Sequence, residues 1–267
     1  MKKLILLLFI LSPALLLAQD STGKRKPSSK EEKKEERRQR VNDMMKQAEE
    51  GVLIYSKQTL FGMQFRSNGY GAYFELGRSK SNRRTNIYRF DFTEIKHPKE
   101  DKQPNAGIIF GNPYIFAKKN YFYQATFGFG QQYILGQKGN KNGVAVSAVY
   151  NGGLALGLLR PYYIQVDDQG ETRTIKYSQA DSLLFVGSSI QGGSGFGKGW
   201  NEISIKPGAF VKAALRFDYG RFNELVSGIE IGVSAEFYAS KIPIMVAQKD
   251  KQFFFQGYIA LAFGRRK

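Results

Sequence analysis

From Val52 almost to the last residue, apolar positions alternate with small or polar ones at a period of two, the pattern of strands with two unlike faces. In LVSGIEIGVSAEFYAS, Ile229, Ile231, Val233, Ala235 and Phe237 share one face, and Gly228, Glu230, Gly232, Ser234 and Glu236 share the other. GAFVKAALRFDYG sets Ala209, Val211, Ala213, Leu215, Phe217 and Tyr219 against Lys212, Ala214, Arg216 and Asp218. YFYQATFGFGQQYILG and GVAVSAVYNGGLALGLL follow the same rule. Eight strands are predicted, near 59–67, 70–79, 86–96, 121–135, 143–166, 206–220, 225–240 and 252–264.

The connections carry as much information as the strands. Those after the second, fourth and sixth strands are short (SKSNRR, QKGNKNG, RFNE), whereas those after the third, fifth and seventh are long. Only the connection near Ser67 to Gly69 is too short for the pattern. The chain closes on QFFFQGYIALAFGRRK, an apolar ending for a protein of formal net charge +17 with 24% charged residues. A face of Phe253, Phe255, Ile259, Leu261 and Phe263 is written for lipid, with Gln256, Ala260, Ala262 and Gly264 turned to a lumen. In hydrocarbon, strands can span only as a closed barrel, because every backbone group must be paired. A soluble sandwich or lipocalin-like barrel would instead turn the apolar faces inward, and its outer faces should read as Lys, Glu and Thr. Here those faces are largely Gly, Ala and Ser with charges of both signs.

The start differs from the rest. Lys2 and Lys3 precede an unbroken apolar run to Ala18, the form of a secretory signal peptide over 1–18. The run is shorter than the about 20 residues of a membrane-spanning helix. Residues 19–50 are dense in Lys, Arg and Glu and cannot bury a core. They are expected to form a disordered arm or a solvated helix with pairs such as Glu31–Lys34 and Glu36–Arg40. Residues 51–267 form the barrel. The fold class is therefore all-β, a closed antiparallel transmembrane β-barrel of about eight strands with a charged periplasmic arm.

Signal peptide, eightfold alternation, turn parity and aromatic closing strand resemble the small eight-stranded outer-membrane barrels of Gram-negative bacteria. The resemblance spans roughly Leu60 to Gly264, is architectural, and rests on no short motif. The terminal GRRK departs from the usual strand-final aromatic. It implies residence in the outer membrane and contact with lipid and lipopolysaccharide.

With apolar faces outward, the lumen receives Arg66, Glu75, Arg89, Asp91, Lys212, Arg216, Asp218, Glu230 and Glu236, together with Gln64, Gln124, Gln132 and Asn151. Eight strands enclose a space that side chains fill, so a paired network that plugs the lumen is expected, with Lys212 and Arg216 facing Glu230 and Glu236. The alternative is a narrow solute pore. GGSGFGKGW has Gly192, Gly197 and Lys198 at the spacing of a phosphate-binding loop, but Gly199 stands where Ser or Thr should contact magnesium. It reads as a flexible outward loop in which Phe196, Lys198 and Trp200 are candidates for partner contact.

His97 is the one histidine, followed by Glu100 and Asp101 and preceded by Glu94. Some small outer-membrane barrels modify lipid A with a histidine, a serine and a carboxylate at the outer rim, so His97 marks the enzymatic alternative. No serine lies near it in sequence, and a loop role is expected. There is no cysteine, hence no disulfide, thiol nucleophile or cysteine metal site. No cofactor is expected. A secreted chain is a poor nucleic-acid binder. Its basic excess fits anionic lipopolysaccharide outside, anionic cell-wall polymers inside, and a protein partner through the long loops or the arm.

Overall fold

The computed structural model describes residues 33–39, 41–42, 55–104, 112–139, 142–220, 224–246 and 248–267. Residues 33–39 and 41–42 are helical and belong to a unit of their own, Met1–Asp43. The signal peptide and most of the arm lie outside the described residues. No helix among the described residues is long and apolar enough to cross a membrane.

The alternating stretches become strands: β1 (Lys57–Arg66), β2 (Gly69–Ser81), β3 (Arg84–Ile95), β4 (Lys102–Gln103), β5 (Tyr114–Ile115), β6 (Asn120–Gly136), β7 (Ala145–Pro161), β8 (Tyr163–Asp168), β9 (Glu171–Lys176), β10 (Ile190–Gly193), β11 (Ser204–Asp218), β12 (Leu225–Ile242) and β13 (Lys251–Arg266). Among the described residues eight of them close into an antiparallel barrel in the order β1-β13-β12-β11-β7-β6-β3-β2. The closing strand pairs with the first, Phe61 opposite Phe263 and Gln64 opposite Ala260, so no edge of the barrel is left open.

Burial follows parity. Even positions of β1 are buried and odd ones exposed, and β13 does the same. Phe255 is 65% exposed and Leu154 67%, whereas Glu75 and Glu230 are 0%. A soluble fold does not place its aromatics outside and its carboxylates inside. The exterior also pairs rings across strands, Phe90 with Phe127 at 4.8 Å and Tyr88 with Phe129 at 5.2 Å, forming a continuous aromatic surface. In water such a surface would be costly at about 25 cal/mol per Å²; against acyl chains it costs nothing.

Two details depart from the sequence pattern. The fifth strand, expected over 143–166, stops at Pro161; Tyr162 is buried, and the chain restarts as β8 in a separate sheet with order β10-β8-β9. Proline lacks the N–H needed to continue a ladder on that side. Second, the long connection after β7 is a folded body and not a flexible loop. Ile115, Tyr162, Ile164, Val166, Ile175, Phe185 and Ile190 pack into a core of their own, with a short helix at Ser182–Val186.

Candidate functional site

The lumen is filled in layers. At the short-turn end Arg266 donates to Asp218 at 2.6 Å, and Lys138 lies 3.8 Å from the same carboxylate while donating to the carbonyl of Gly220. One layer further in, Arg216 joins Glu75 and Glu230, each at 2.7 Å. Arg89 joins Glu230 at 2.7 Å and Asp91 at 3.1 Å, its guanidinium 3.8 Å from the centre of the Tyr73 ring. Lys212 donates to Asp91 at 2.8 Å. Beyond it Arg66 pairs with Glu236, donates to Gln124 at 2.7 Å and to Ser234 at 2.7 Å, and Gln256 also donates to Glu236.

Each of the nine expected lumen charges is thus buried and paired: Asp218 at the short-turn end, Glu75, Arg89, Asp91, Lys212, Arg216 and Glu230 in a central cluster, and Arg66 with Glu236 beyond it. The partners differ in part from expectation. Lys212 crosses to Asp91 on β3 instead of pairing on β12, and Glu236 is held by Arg66 on β1. In a barrel this narrow, long side chains from opposite walls meet in the lumen, so sequence adjacency does not select the partner. Arg266, Lys138 and Gln58 were not anticipated. Gln58 donates to Glu75 at 3.2 Å and to Gln132 at 2.9 Å. The signal for Arg266 was present, since even positions of the closing strand face inward and the strand runs two residues past Gly264.

Toward the long-connection end the polar network gives way to an apolar cap of Phe122, Phe210, Tyr238, Phe254, Ile95, Ile242, Ile244 and Met245. Room for these rings comes from glycine: a Cβ on Gly128 would lie 2.7 Å from Phe210 Cζ. The connection after β12 folds over the mouth, Val246 N donating to Ala117 O at 2.9 Å and Lys119 N to Ile244 O at 2.8 Å. Lys118 is buried there and paired with Glu100 at 2.7 Å.

His97 lies beside this cap. Its Nδ1 accepts from the backbone N–H of Lys99 at 3.2 Å, and the backbone N–H of His97 donates to the Glu100 carboxylate at 3.0 Å. The cavity it borders, about 10 Å³, is lined by Ile242, Ile244, Met245, Gln248, Lys249, Asp250, Lys251 and Phe254. That is room for about one water, and the lining holds no hydroxyl nucleophile. Burial and the nearby Lys251 ammonium lower the His97 pKa below its ordinary 6.5, with Glu100 opposing. Among the described residues no group of three or more His, Asp or Glu is placed to hold a metal.

The body after β7 is fastened to the outside of the barrel wall. Arg160 is outward on β7 but only 1% exposed, because four aromatic rings enclose it: Tyr121 at 4.3 Å, Trp200 at 4.5 Å, Phe196 at 4.8 Å and Tyr123 at 5.7 Å. Its Nη1 donates to the carbonyl of Phe196 at 2.7 Å, and the Trp200 indole donates to the same oxygen at 2.9 Å. Trp200 stacks on Tyr123 at 5.8 Å. Of the three loop candidates, Trp200 therefore spends one face on the barrel and is 38% exposed, Phe196 is 70% exposed, and Lys198 is exposed. Gly199 takes φ +87, the left-handed conformation that favours glycine, just before a single 3-10 turn at Trp200–Glu202. The parity of β7 groups Arg160 with lipid-facing residues, so alternation alone does not mark it as buried.

No protein-family model matches the chain, and no curated protein matches it in sequence. Solved structures similar to it include the attachment invasion locus protein Ail of Yersinia pestis, in complex with the heparin analogue sucrose octasulfate: 12% identity, TM-score 0.38, 80% of this chain and 100% of that one. Neisserial surface protein A aligns at 9% identity and TM-score 0.38, over 79% of this chain and 96% of that one. The N-terminal β-barrel domain of Pseudomonas aeruginosa OprF aligns at 8% and 0.34, over 79% and 98%. Closure, lipid-facing exterior and filled lumen of the present chain are those of an outer-membrane β-barrel.

Proposed function

We propose that this protein is a sealed, non-enzymatic outer-membrane barrel that serves as a rigid pedestal for binding, with the folded body after β7 as its working surface and residues 19–50 as a periplasmic arm after removal of residues 1–18. The observation that carries this reading is the Arg160 clamp. A loop with no task beyond linking two strands needs neither its own apolar core nor an arginine caged by Tyr121, Tyr123, Phe196 and Trp200. Ordering a loop in advance lowers the entropy cost of binding, and Leu183, 88% exposed at the tip, and Phe196 offer the apolar contacts.

Orientation follows from the turns. The end with short turns and with Lys267 joined to Ser56 and Lys57 faces the periplasm, and the long connections face outward, as in bacterial barrels. The charges inside pair with one another, which supports a structural role for the lumen instead of conduction. The test replaces residues 163–193 by a short Gly-Ser linker. Covalent crosslinking in the native host should then lose the outer-surface partners seen with the wild type, while the barrel still inserts. Identical crosslinked partners would refute the reading.

A further inference from the structure

The periplasmic rim of the lipid-facing wall is unevenly charged. Lys57 on β1, Arg78 and Lys80 on β2, Arg84 on β3 and Arg265 on β13 are exposed, and each has the outward parity of its strand. They form one patch because these four strands are neighbours in the barrel. Lys57 stands directly opposite Arg78, and Arg265 opposite Thr59, two residues from Lys57. Just above them, on the same faces, lie Phe61, Phe74, Leu76, Tyr88 and Phe263, all exposed to lipid.

Like charges directly across a strand pair destabilise a sheet. None of the five is in an ion pair among the described residues. Glu224 lies in the turn beside Arg265 without an ion pair to it, whereas the lumen behind the same strands pairs its charges closely. The outward positions of β6, β7, β11 and β12 at this level are uncharged: Gln131, Tyr133, Val146, Ala148, Phe217, Ser227 and their neighbours. A generic snorkelling belt would ring the barrel, but among the described residues the charged outward strand positions at this level lie on one half.

We infer that this half-rim binds anionic phospholipid headgroups of the periplasmic leaflet, the acyl chains lying on the aromatic wall above. The inference rests on the membrane-spanning reading and on its orientation. Guanidinium groups suit phosphate because their paired donors match two oxygens at once, and long cationic side chains reach from an apolar wall to the headgroup layer. A lipid satisfies both parts of the site, whereas free phosphate or a soluble polyanion satisfies only the charges.

The test uses the full-length protein in mixed micelles with dioleoyl phosphatidylglycerol or dioleoyl phosphatidylcholine, counting retained lipids by native mass spectrometry. Wild type should hold phosphatidylglycerol at roughly tenfold lower lipid concentration than phosphatidylcholine, about what one to two interfacial charges supply. The Arg78→Gln/Arg84→Gln/Arg265→Gln variant should lose that preference, and Lys241→Gln/Lys251→Gln, at the opposite end of the wall, should keep it. Equal retention of the two lipids by wild type, or a preference that survives in the triple variant, overturns the inference. So does displacement of the lipid by millimolar inorganic phosphate or by heparin, which would make the patch a site for a soluble anion. A wild-type chain that fails to enter bilayers refutes the spanning reading itself, while an inserted chain without preference refutes only the lipid site. Gel mobility before and after boiling verifies that each variant is folded.

Discussion

Arg216 reaches across the lumen to Glu75 with two parallel hydrogen bonds of 2.8 and 2.7 Å, from β11 to β2, strands on opposite sides of the barrel. The same guanidinium also donates to Glu230 at 2.9 and 2.7 Å. It is therefore a strut whose removal leaves Glu75 and Glu230 to share the single cation of Arg89.

Breaking a buried ion pair from one side costs about 3–5 kcal/mol. Arg216→Ala should accordingly lower the urea midpoint of vesicle-inserted protein, followed by the folded band on unboiled gels. Adding Glu75→Gln should recover part of the loss, since Arg89 and Lys212 are then balanced by Glu230 and Asp91. A double variant less stable than Arg216→Ala would contradict a network held by charge pairing.

The clamp on Arg160 predicts a local effect instead of a global one. Contacts of a cation with aromatic faces contribute about 0.5–2 kcal/mol each, so Arg160→Ala or Trp200→Ala should release 194–202 from the wall while the barrel stays closed. Trypsin should then cut after the exposed Lys198 faster by tenfold or more in intact proteoliposomes. Unchanged cleavage would mean that the loop is held by other contacts.

Charge pairing and the apolar cap close the lumen in series. Planar bilayers containing the wild type should show no steps above leak. Phe122→Ala with Phe254→Ala should stay silent too, because the polar layers beneath still fill the space. Reproducible steps from the wild type would show an open path.

His97 supplies a pH dependence at the outer mouth. Its folded-state pKa is lowered by burial and by Lys251, so the unfolded chain binds more protons between that value and 6.5. Stability of the cap then rises with pH across this window and is fully present above it. Amides of 244–246 should exchange faster at pH 5 than at pH 7.5, measured relative to intrinsic rates, and His97→Gln should remove the difference. A pH effect unchanged in His97→Gln would assign it elsewhere.

The barrel was legible in the sequence because its period is two and its exterior and interior differ in chemistry at most positions. Where the chemistry does not alternate, parity fails. In Phe253-Phe254-Phe255 the middle ring caps the lumen while its neighbours face lipid, and three identical residues cannot announce which is which. Phe122 and Phe210 were hidden among aromatic and apolar neighbours in the same way. The body after β7 was invisible for another reason: its core draws Ile115 from a different connection, a long-range contact that no local pattern records. The nine expected lumen charges were readable as a set, but which one meets which depends on side-chain reach across the barrel.

The central claim is a closed barrel in the outer membrane. It is tested most directly by isolating outer membranes from the native host and comparing the mobility of the boiled and unboiled protein on a denaturing gel. A mobility shift in that fraction is predicted, because a barrel closed by Phe61 opposite Phe263 and filled with ion pairs resists detergent until heated. No shift, with the protein in the soluble periplasm, would contradict the account.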